Sequence, residues 1–354
     1  MSAASGGLQP VFDGHNDTLL QLWRAGDRDG ASFVSGRAGG HVDLPRARAG
    51  GLVGGFFALF APNAGLDLPD APGRVVDYPP IAAVPRERAL AIALAEAAIL
   101  SRMARARPDA LRIVRDAAGL DAALGDGALA AVLHLEGAEA ISESLDELEL
   151  LHAAGLRSLG PVWSRPNPFG VGVDFRFPAS PDMGPGLTEA GEALVRACDA
   201  LGILVDLSHV NQAGFLDVAR ISDRPLVATH SNVHALSPSS RNLTDRQLDM
   251  IAERGGVVGL NFAVGFLRDD GRVVPDTGLD VMLRHLDHLL GKLGERGVAL
   301  GSDFDGAAIP AEIGDAAGLP ALVGAMRQAG WGEVLIDRIC RLNWIEHLRA
   351  RLPG

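Results

Sequence analysis

Residues 203–231 read ILVDLSHVNQAGFLDVARISDRPLVATHS, and this stretch indicates how the chain folds. Two apolar runs flank a segment whose apolar side chains recur at spacings of three and four, which is the pattern of a strand, a helix and a parallel strand. A histidine follows each run at the same relative point, at His209 and at His230. Two neighbouring strands would therefore place two imidazoles at one level of the fold.

Apolar runs of this kind recur along the whole chain and alternate with helix-like segments. Such alternation is typical of parallel strands joined by crossover helices. Eight units predict an α/β fold, a closed (β/α)8 TIM barrel, with the active site at the carboxyl ends of the strands. The runs lie near residues 11–17, 52–60, 130–136, 157–163, 203–209, 226–231, 257–262 and 298–304.

The length of 354 residues is compatible with one barrel, so we expect residues 1–354 to form a single domain. The connection between the second and third strands, about 61–128, is unusually long and contains an alanine-rich helix from Pro85 to Arg107. Several helix starts carry N-terminal signals. We expect N-caps at Thr188 and Asn211, and capping boxes formed by Ser144 with Glu147 and by Thr244 with Gln247.

Composition and charge exclude several classes of function. Hydrophobic residues make up 47% and charged residues 21%, which is ordinary for a globular protein. The 32 basic and 44 acidic side chains give a net charge of −12, which would repel nucleic acid. Cys198 and Cys340 are too few for a disulfide framework, so we expect a cytoplasmic protein. The N-terminal residues lack a signal-peptide pattern, and no apolar run is long enough to span a membrane.

Candidate metal ligands follow the apolar runs. His15 and Asp17 are two residues apart after the first run, so on a strand both side chains point to one side. Together with the two histidines of 203–231 they combine imidazole nitrogens and carboxylate oxygens, which are the ligands that zinc prefers. Glu136 ends the third run and could give an oxygen to each of two ions. The single lysine, Lys292, lies in a helix-like segment, which excludes a carbamylated lysine as the bridging ligand.

Two further side chains suit amide hydrolysis. Asp303 follows the eighth run and could pass a proton from an attacking water to a leaving amine, whereas Asp305 points the same way from further along the loop. Arg241 follows the sixth run and could bind a substrate carboxylate through two hydrogen bonds, although a loop arginine is equally often only solvated. His134 lies two residues before Glu136, so it faces the same interior as a partner of the site or as barrel packing.

The motifs DGHND, HLEG, DLSH, THSN, SRNLTD, GLNF and GSDFDG follow one another in this order. As an ordered set they resemble the membrane (renal) dipeptidase family of zinc metallopeptidases, in its soluble bacterial branch, over nearly the whole chain from about Phe12. The resemblance implies a (β/α)8 barrel that holds two zinc ions. The residues matching the family's ligands are His15 and Asp17 for one ion, His209 and His230 for the other, and Glu136 as the bridge.

The resemblance also concerns the substrate, which would be a dipeptide. It implies that Arg241 binds the terminal carboxylate, that Asp303 assists proton transfer and meets the amino group, and that the chain forms a homodimer. One position departs from the family, because many relatives carry a substrate-binding histidine where this chain has Trp163. An indole donates one hydrogen bond and does not titrate near neutral pH. Stabilisation of the carbonyl oxygen would then depend more on zinc, on Trp163 or on nearby Arg165.

The sequence thus favours a binuclear zinc dipeptidase in which a metal-bridged hydroxide attacks the peptide bond. A related metal-dependent amidohydrolase acting on N-acyl amino acids, cyclic amides or β-lactams is the alternative, since Trp163 alters the wall of the pocket. A non-catalytic metal- or ligand-binding protein with the same fold is the third hypothesis. Asp303 argues against it, because a purely structural site needs no proton carrier.

Overall fold

The structure, a computed structural model, describes residues 7–63 and 72–353 and contains a closed ring of eight parallel strands. Seven neighbouring pairs are joined in the order β5-β4-β3-β2-β1-β8-β7-β6, and a parallel bridge between Asp206 and Val227 joins the two ends. The predicted α/β barrel is confirmed. Its strands are β1 Val11–Asn16, β2 Leu52–Leu59, β3 Leu129–Glu136, β4 Leu156–Gly160, β5 Leu204–Val205, β6 Val227–Ala228, β7 Val257–Leu260 and β8 Val298–Leu300.

Helices follow most strands and cover the outside of the barrel. The described α-helices are α1 Thr18–Arg24, α2 Ala31–Ser35, α3 Leu44–Gly50, α4 Arg86–Ala106, α5 Ala117–Gly125, α6 Asp146–Ala154, α7 Glu189–Leu201, α8 Gln212–Ile221, α9 Asp245–Glu253, α10 Val264–Leu267, α11 Leu279–Leu293, α12 Leu319–Gln328, α13 Glu333–Asp337 and α14 Asn343–Arg349. Within the described part of the chain, none of these helices is long and apolar enough to cross a membrane.

The alternation of side chains along β3 explains how the barrel positions its site. Every residue of this strand is buried, as expected for a strand covered on both faces. Leu133 and Leu135 belong to the core between the sheet and the outer helices, whereas Ala130 and Val132 belong to a second, inner cluster. Because side chains alternate between faces, the inward series of β3 continues to its carboxyl end, where Glu136 lies.

The opposite end of the barrel is closed by α14. Trp344 is fully buried, packs edge-on against Phe56 with ring centroids 5.1 Å apart, and donates a hydrogen bond from Nε1 to the carbonyl oxygen of Leu300 at 2.8 Å. An indole is well suited to this place, because it fills a large volume and has a donor for a free strand carbonyl. Access to the interior is therefore from the carboxyl ends of the strands.

The structure confirms most of the helix N-caps that the sequence predicts and contradicts one of them. Thr188 and Asn211 are N-caps, and Thr244 with Gln247 forms a full capping box, as predicted. The capping box of Ser144 with Glu147 is wrong, because Leu145 with φ 65° occupies the cap position of α6 and Glu147 accepts hydrogen bonds from Ser142 instead. In addition, the sequence did not indicate a short strand, Leu111–Ile113, that pairs with β3.

The long connection between β2 and β3 contains the predicted alanine-rich helix, observed as α4, Arg86–Ala106. Residues 64–71 of this connection lie outside the described residues, as do residues 1–6 of the N-terminal stretch in which no signal peptide is expected. The short strand Leu111–Ile113 and helix α5 complete the connection.

Glu96 of α4 is a fully buried carboxyl group that ties the helix to the end of β2. Its Oε2 accepts a hydrogen bond from the backbone N–H of Phe60 at 2.8 Å, and Oε1 has no hydrogen-bond partner among the described residues. Burial raises the pKa of Glu96 well above its usual value. The folded state thus retains a proton that the unfolded chain loses. This contribution to stability is greatest below the unfolded pKa and declines as the pH rises toward the folded pKa.

We predict that Glu96→Gln makes the free energy of unfolding less dependent on pH between pH 5 and 8. The amide oxygen still accepts from Phe60, and the titrating group is gone, so the variant should be more stable than the wild type at pH 7. Denaturant unfolding at fixed metal loading measures this, with Glu87→Gln at an exposed position of α4 as the control. An unchanged pH slope in Glu96→Gln would contradict the prediction.

Candidate metal centre and substrate cavity

The five predicted ligand side chains meet at the carboxyl end of the barrel, and all five are buried. His15 belongs to β1 and Asp17 follows it, Glu136 is the last residue of β3, His209 follows β5 and His230 follows β6. Parallel strands end at the same side of a sheet, so donors separated by more than two hundred positions come together. The structure thus brings together the five side chains that the sequence predicts as ligands, and their role in binding metal stays a prediction.

Glu136 lies at the centre of this group. Its Oε1 is 3.1 Å from Nε2 of His209, 3.3 Å from Nε2 of His230 and 3.6 Å from Nε2 of His15. Asp17 Oδ2 is 3.5 Å from the same nitrogen of His15. Two sets have ligand atoms that all lie within 4.8 Å of one another, namely His15, Glu136 and His230, and His15, Asp17 and Asp303.

These residues fit divalent cations of the zinc type. Both ring nitrogens of His15 and Oδ1 of Asp17 are buried without a hydrogen-bond partner in residues 7–63 and 72–353. Buried polar atoms are normally satisfied, so this group of unpartnered nitrogen and oxygen atoms is suited to holding a cation. Burial also raises the pKa of Glu136 well above its usual value, aided by the negative charges of Asp17 and Asp303. A bound cation would relieve this repulsion.

Hydrogen bonds behind the ligands set the orientation of two imidazoles. Thr229 Oγ1 donates to Asp206 Oδ2 at 2.6 Å, so it can only accept from Nδ1 of His230, 2.8 Å away. His230 is thereby held with the proton on Nδ1, which leaves the Nε2 lone pair for a metal. The hydroxyl of Ser164 likewise lies next to Nδ1 of an imidazole, with its Oγ 2.8 Å from that atom of His209. Sequence reasoning missed Asp206, although the DLSH motif contains it.

The backbone at two site residues is strained. His209 has φ 67° and Asp303 has φ 58°, in the left-handed region that residues other than glycine seldom occupy. Such strain persists where the surrounding structure enforces it, and it is concentrated at functional sites. Gly306 belongs to the same arrangement, because a Cβ at this position would collide with the carboxylates of Asp17 and Asp303.

The two candidate aspartates of the last loop have different surroundings. Asp303 lines the cavity, and its Oδ2 accepts a hydrogen bond from Asn261 Nδ2 at 2.9 Å. Burial raises the pKa of Asp303. The carboxylate of Asp305 is instead occupied by the guanidinium of Arg37 and by the backbone N–H of His41, at 2.6 to 2.7 Å. The geometry therefore favours Asp303 as the group that is free to exchange protons.

Arg241 is buried beside the metal ligands and is not a solvated loop arginine. Its Nη1 donates to Ser231 Oγ at 2.8 Å, and its Nη2 donates to the carbonyl oxygen of His230 at 2.9 Å. Its Nε has no hydrogen-bond partner within the part of the chain that the structure describes. Burial lowers its pKa, whereas Asp303 and Glu136 raise it. A buried guanidinium with spare N–H groups is suited to a carboxylate.

Trp163 and Arg165 have different relations to the cavity. Trp163 lines it, and its ring lies 5.6 Å from that of His209. Arg165 is not among the described residues that line the cavity, and its guanidinium donates to Glu139, to Asn63 and to the carbonyl oxygen of Ala61. The substrate contact expected for Arg165 stays a prediction, and the geometry favours a supporting role.

The cavity above the donors has a volume of about 520 Å³. Its polar floor is formed by Asp17, Glu136, His209 and Asp303, and its walls combine an apolar cluster with polar side chains that include Gln21, Arg24, His41 and Asn63. Sequence reasoning missed the wall residues His41, Phe60, Phe175 and Phe266, because they lie on loops and strand ends that carry no periodic signal. His134 faces the barrel interior as expected, with Nδ1 2.9 Å from Ser158 Oγ, and burial lowers its pKa to about 3.

Comparison with known proteins agrees with this geometry. A family model described as membrane dipeptidase, peptidase family M19, matches residues 8–350. A metallo peptidase from Rhodobacter sphaeroides, whose crystal structure holds a phosphinate mimic of the dipeptide L-Ala-D-Ala, is 52% identical, with a TM-score of 0.93 over 98% of this chain and 100% of that chain. A metallo peptidase described as dipeptidase AC, of family M19, is 51% identical, with a TM-score of 0.92 over 98% and 100% of the two chains.

The fold is also shared with a more distant protein. An amidohydrolase from Pseudomonas aeruginosa has 18% sequence identity and a TM-score of 0.74 over 97% of both chains, which supports the amidohydrolase-like barrel alone. The family match extends over nearly the whole chain, and two solved relatives share more than half of its residues. The chain therefore belongs to the membrane dipeptidase family, peptidase family M19, and is a metallo-dipeptidase.

Proposed function

We propose that the protein is a binuclear zinc dipeptidase that hydrolyses the peptide bond of dipeptides. The observation that carries this proposal is the position of Glu136 Oε1, within 3.6 Å of three imidazole nitrogens that come from three strands. A carboxylate at such a crossing point can share its oxygens between two cations. The dipeptide mimic in the Rhodobacter sphaeroides relative supports the class of substrate.

The ligand set divides naturally between two ions. His15 and Asp17 would hold one zinc ion, His209 and His230 would hold the other, and Glu136 would bind both. When bound, zinc supplies Lewis acidity for a substrate carbonyl and a nucleophile that is available near pH 7. The stacked rings of His15 and His230, 3.8 Å apart, keep the two halves of the site together.

Asp303 is positioned to move the protons of the reaction. Asn261 holds its Oδ2, and its Oδ1 faces the space above Gly306, next to Asp17. A carboxylate held at one oxygen can take a proton on the other, and burial, which raises the pKa of Asp303, favours its protonated form. Asp303 would therefore accept the proton of the attacking water and deliver it to the departing amine.

Binding of the dipeptide would involve both ends of the cavity. Arg241, which is buried next to His230 and is not among the described residues that line the cavity, would bind the terminal carboxylate through its remaining N–H groups, and Trp163 would contact the substrate from the wall. We retain other amides, namely N-acyl amino acids, cyclic amides and β-lactams, as a second candidate class. Trp163 favours this class, because it makes the wall apolar where many relatives have an imidazole. A panel of dipeptides and acylated analogues separates the two.

We further propose that residues 1–354 form one barrel domain with a long β2–β3 connection, about 61–128, that acts as a cytoplasmic homodimer without nucleic-acid or membrane partners. One buried apolar cluster extends from Val11 to Cys340, which supports a single domain. Both cysteines are buried and unbridged, as suits a reducing compartment. The homodimer rests on the family resemblance, and the net charge of −12 disfavours nucleic acid.

Removal of zinc should abolish hydrolysis of dipeptides such as Ala-Ala, and two equivalents of zinc per chain should restore it. The reason is that both the nucleophile and the polarised carbonyl depend on the ions. Elemental analysis together with a continuous assay of dialysed, chelator-treated protein measures this. Metal-free protein that is as active as the zinc-loaded form would rule out the mechanism.

Asp303→Asn should reduce kcat about 10²- to 10⁴-fold while zinc content stays the same, because the amide cannot accept the proton of the attacking water. Steady-state kinetics and zinc analysis of the same preparation measure the two quantities. Asp305→Asn is the matched control, since that carboxylate is occupied by Arg37, and it should keep more turnover than Asp303→Asn. A larger loss in Asp305→Asn would reassign the proton carrier.

Arg241→Ala should raise KM for dipeptides with a free carboxylate at least 10-fold, with a much smaller effect on their C-terminal amides. The amide has no charge for the guanidinium to bind, so the difference isolates the carboxylate contact. Arg254→Ala, which removes an arginine that bonds backbone carbonyls of Ala219 and Ser222 away from the cavity, is the control. Equal losses on acids and amides would remove the role from Arg241.

A further inference from the structure

Four aromatic side chains form a continuous surface along one side of the cavity. We call this surface the aromatic wall; its members are Phe60, Trp163, Phe175 and Phe266. Ring centroids of Phe60 and Trp163 are 4.9 Å apart, those of Trp163 and Phe175 are 5.4 Å apart, and those of Phe175 and Phe266 are stacked at 5.9 Å. All four are nearly buried, so the wall is packed before any ligand arrives.

Arg165 holds the first half of this wall in place. Its guanidinium lies 4.9 Å from the ring centroid of Trp163 and 5.1 Å from that of Phe60. All three of its nitrogen atoms donate to protein acceptors, and the acceptor for Nε is the carboxylate of Glu139 at 2.7 Å. Cation–π attraction and fixed hydrogen bonds thus orient both rings.

A buried carboxylate offsets part of the charge of Arg165. Both members of its ion pair with Glu139 are buried, with side-chain exposures of 0% and 2%. The carboxylate of Glu139 offsets part of this charge, and three of the five guanidinium N–H groups already donate to protein acceptors. The wall therefore presents π faces to a ligand, and a carboxylate or ammonium side chain placed against it would lose its hydration without gaining a partner.

The direction of the wall relates it to one end of a bound dipeptide. Its far member, Phe266, lies 5.9 Å from the guanidinium of Arg241, and its centre, at Trp163 and Phe175, adjoins the ring of His209. Under the proposed function, Arg241 binds the carboxylate of the C-terminal residue. The side chain of that residue then lies over the wall, between Arg241 and the metal ligands.

We propose that the aromatic wall selects dipeptides whose C-terminal side chain is apolar, and that Arg165 is a positioning residue for this selection. The proposal rests on the proposed dipeptidase function and names the substrate class within it. Leucine, asparagine and aspartate side chains are similar in size, so they separate apolarity from volume. An apolar side chain is worth at least about 10-fold in kcat/KM over a polar one of equal size at such a surface.

The first experiment measures kcat/KM of the zinc-loaded enzyme on Ala-Leu, Ala-Asn and Ala-Asp, each with both configurations of the C-terminal residue. We expect Ala-Leu to exceed the other two at least about 10-fold in the configuration that is hydrolysed faster. The reversed series Leu-Ala, Asn-Ala and Asp-Ala should show a smaller spread. Equal rates for the three C-terminal residues, or a larger spread in the reversed series, would overturn the assignment.

The second experiment tests Arg165 through its effect on this selectivity. Arg165→Lys keeps the charge next to Glu139 but loses the planar guanidinium that contacts both rings, so we expect a raised KM for Ala-Leu, a smaller change in kcat and a reduced ratio of Ala-Leu to Ala-Asp. Trp163→Ala should reduce the same ratio, which keeps the test informative where the lysine variant does not fold. Trp331→Phe, away from the cavity, is the control and should keep the wild-type ratio.

A direct binding measurement separates the effect of the aromatic wall on affinity from its effect on hydrolysis. Phosphinate analogues of Ala-Leu and Ala-Asp are titrated into zinc-loaded protein, and the quenching of indole fluorescence is followed. We expect tighter binding of the Leu analogue and loss of most of the quenching in Trp163→Ala. If no dipeptide is hydrolysed but the Leu analogue binds more tightly than the Asp analogue, the proposed function is wrong and the selectivity of the aromatic wall is supported. If hydrolysis occurs and both the rates and the affinities are indifferent to the side chain, only the wall is wrong.

Discussion

Glu136 places a carboxyl group in the buried interior of the barrel. Its carboxylate is buried among three imidazoles and shares the space with Asp17 and Asp303, so burial and like charges both raise its pKa. Burial opposes protonation of His15, whereas these carboxylates raise its pKa to about 10. A divalent ion bound among these groups would turn the repulsion among the carboxylates into attraction.

Folding of the barrel and formation of the site are therefore linked. The ligands come from four strands, β1, β3, β5 and β6, and each strand is held in register by its parallel neighbours. A cation that binds the folded donors stabilises the whole ring, because the unfolded chain has no such arrangement. At the other end Trp344 closes the barrel by packing on Phe56. The packed amino-terminal end of the barrel thus contributes most of the stability, and the strained and charged groups lie at the carboxyl ends of the strands.

The sequence predicts well those features that depend on a local period. The apolar runs predicted all eight strands. The position of a donor at the end of its run predicted that it lies at the carboxyl end of the barrel, as for Glu136 at the end of β3 and His230 after β6. The resemblance between motifs added the order of the ligands. Asp303 was preferred to Asp305 from its distance along the loop, and the contact of Asp305 with Arg37 supplies the physical reason.

Features that depend on partners far apart in the chain were not predictable. Arg165 bonds to Glu139 and to Asn63, and no local pattern relates these three positions. The role of Asp206 depends on the hydroxyl of Thr229, a hydrogen bond between two strands. The failed cap at Ser144 has the same origin on a smaller scale, because Glu147 had a better-placed donor in Ser142. A spacing rule identifies residues that can interact, and only packing decides which of them do.

The family resemblance implies a histidine in many relatives at the position of Trp163, and the contact of Trp163 with Arg165 explains how an indole fits there. An imidazole at this position would lie close to the same buried guanidinium, which would disfavour its protonated form and leave it only a neutral donor. The indole ring is instead attracted to the guanidinium through its π face, 4.9 Å from the ring centroid, and it packs against Phe60 and Phe175. The exchange thus converts a polar, titratable position into part of an apolar surface. Under the proposed function, polarisation of the substrate carbonyl would then depend on the bound metal ions.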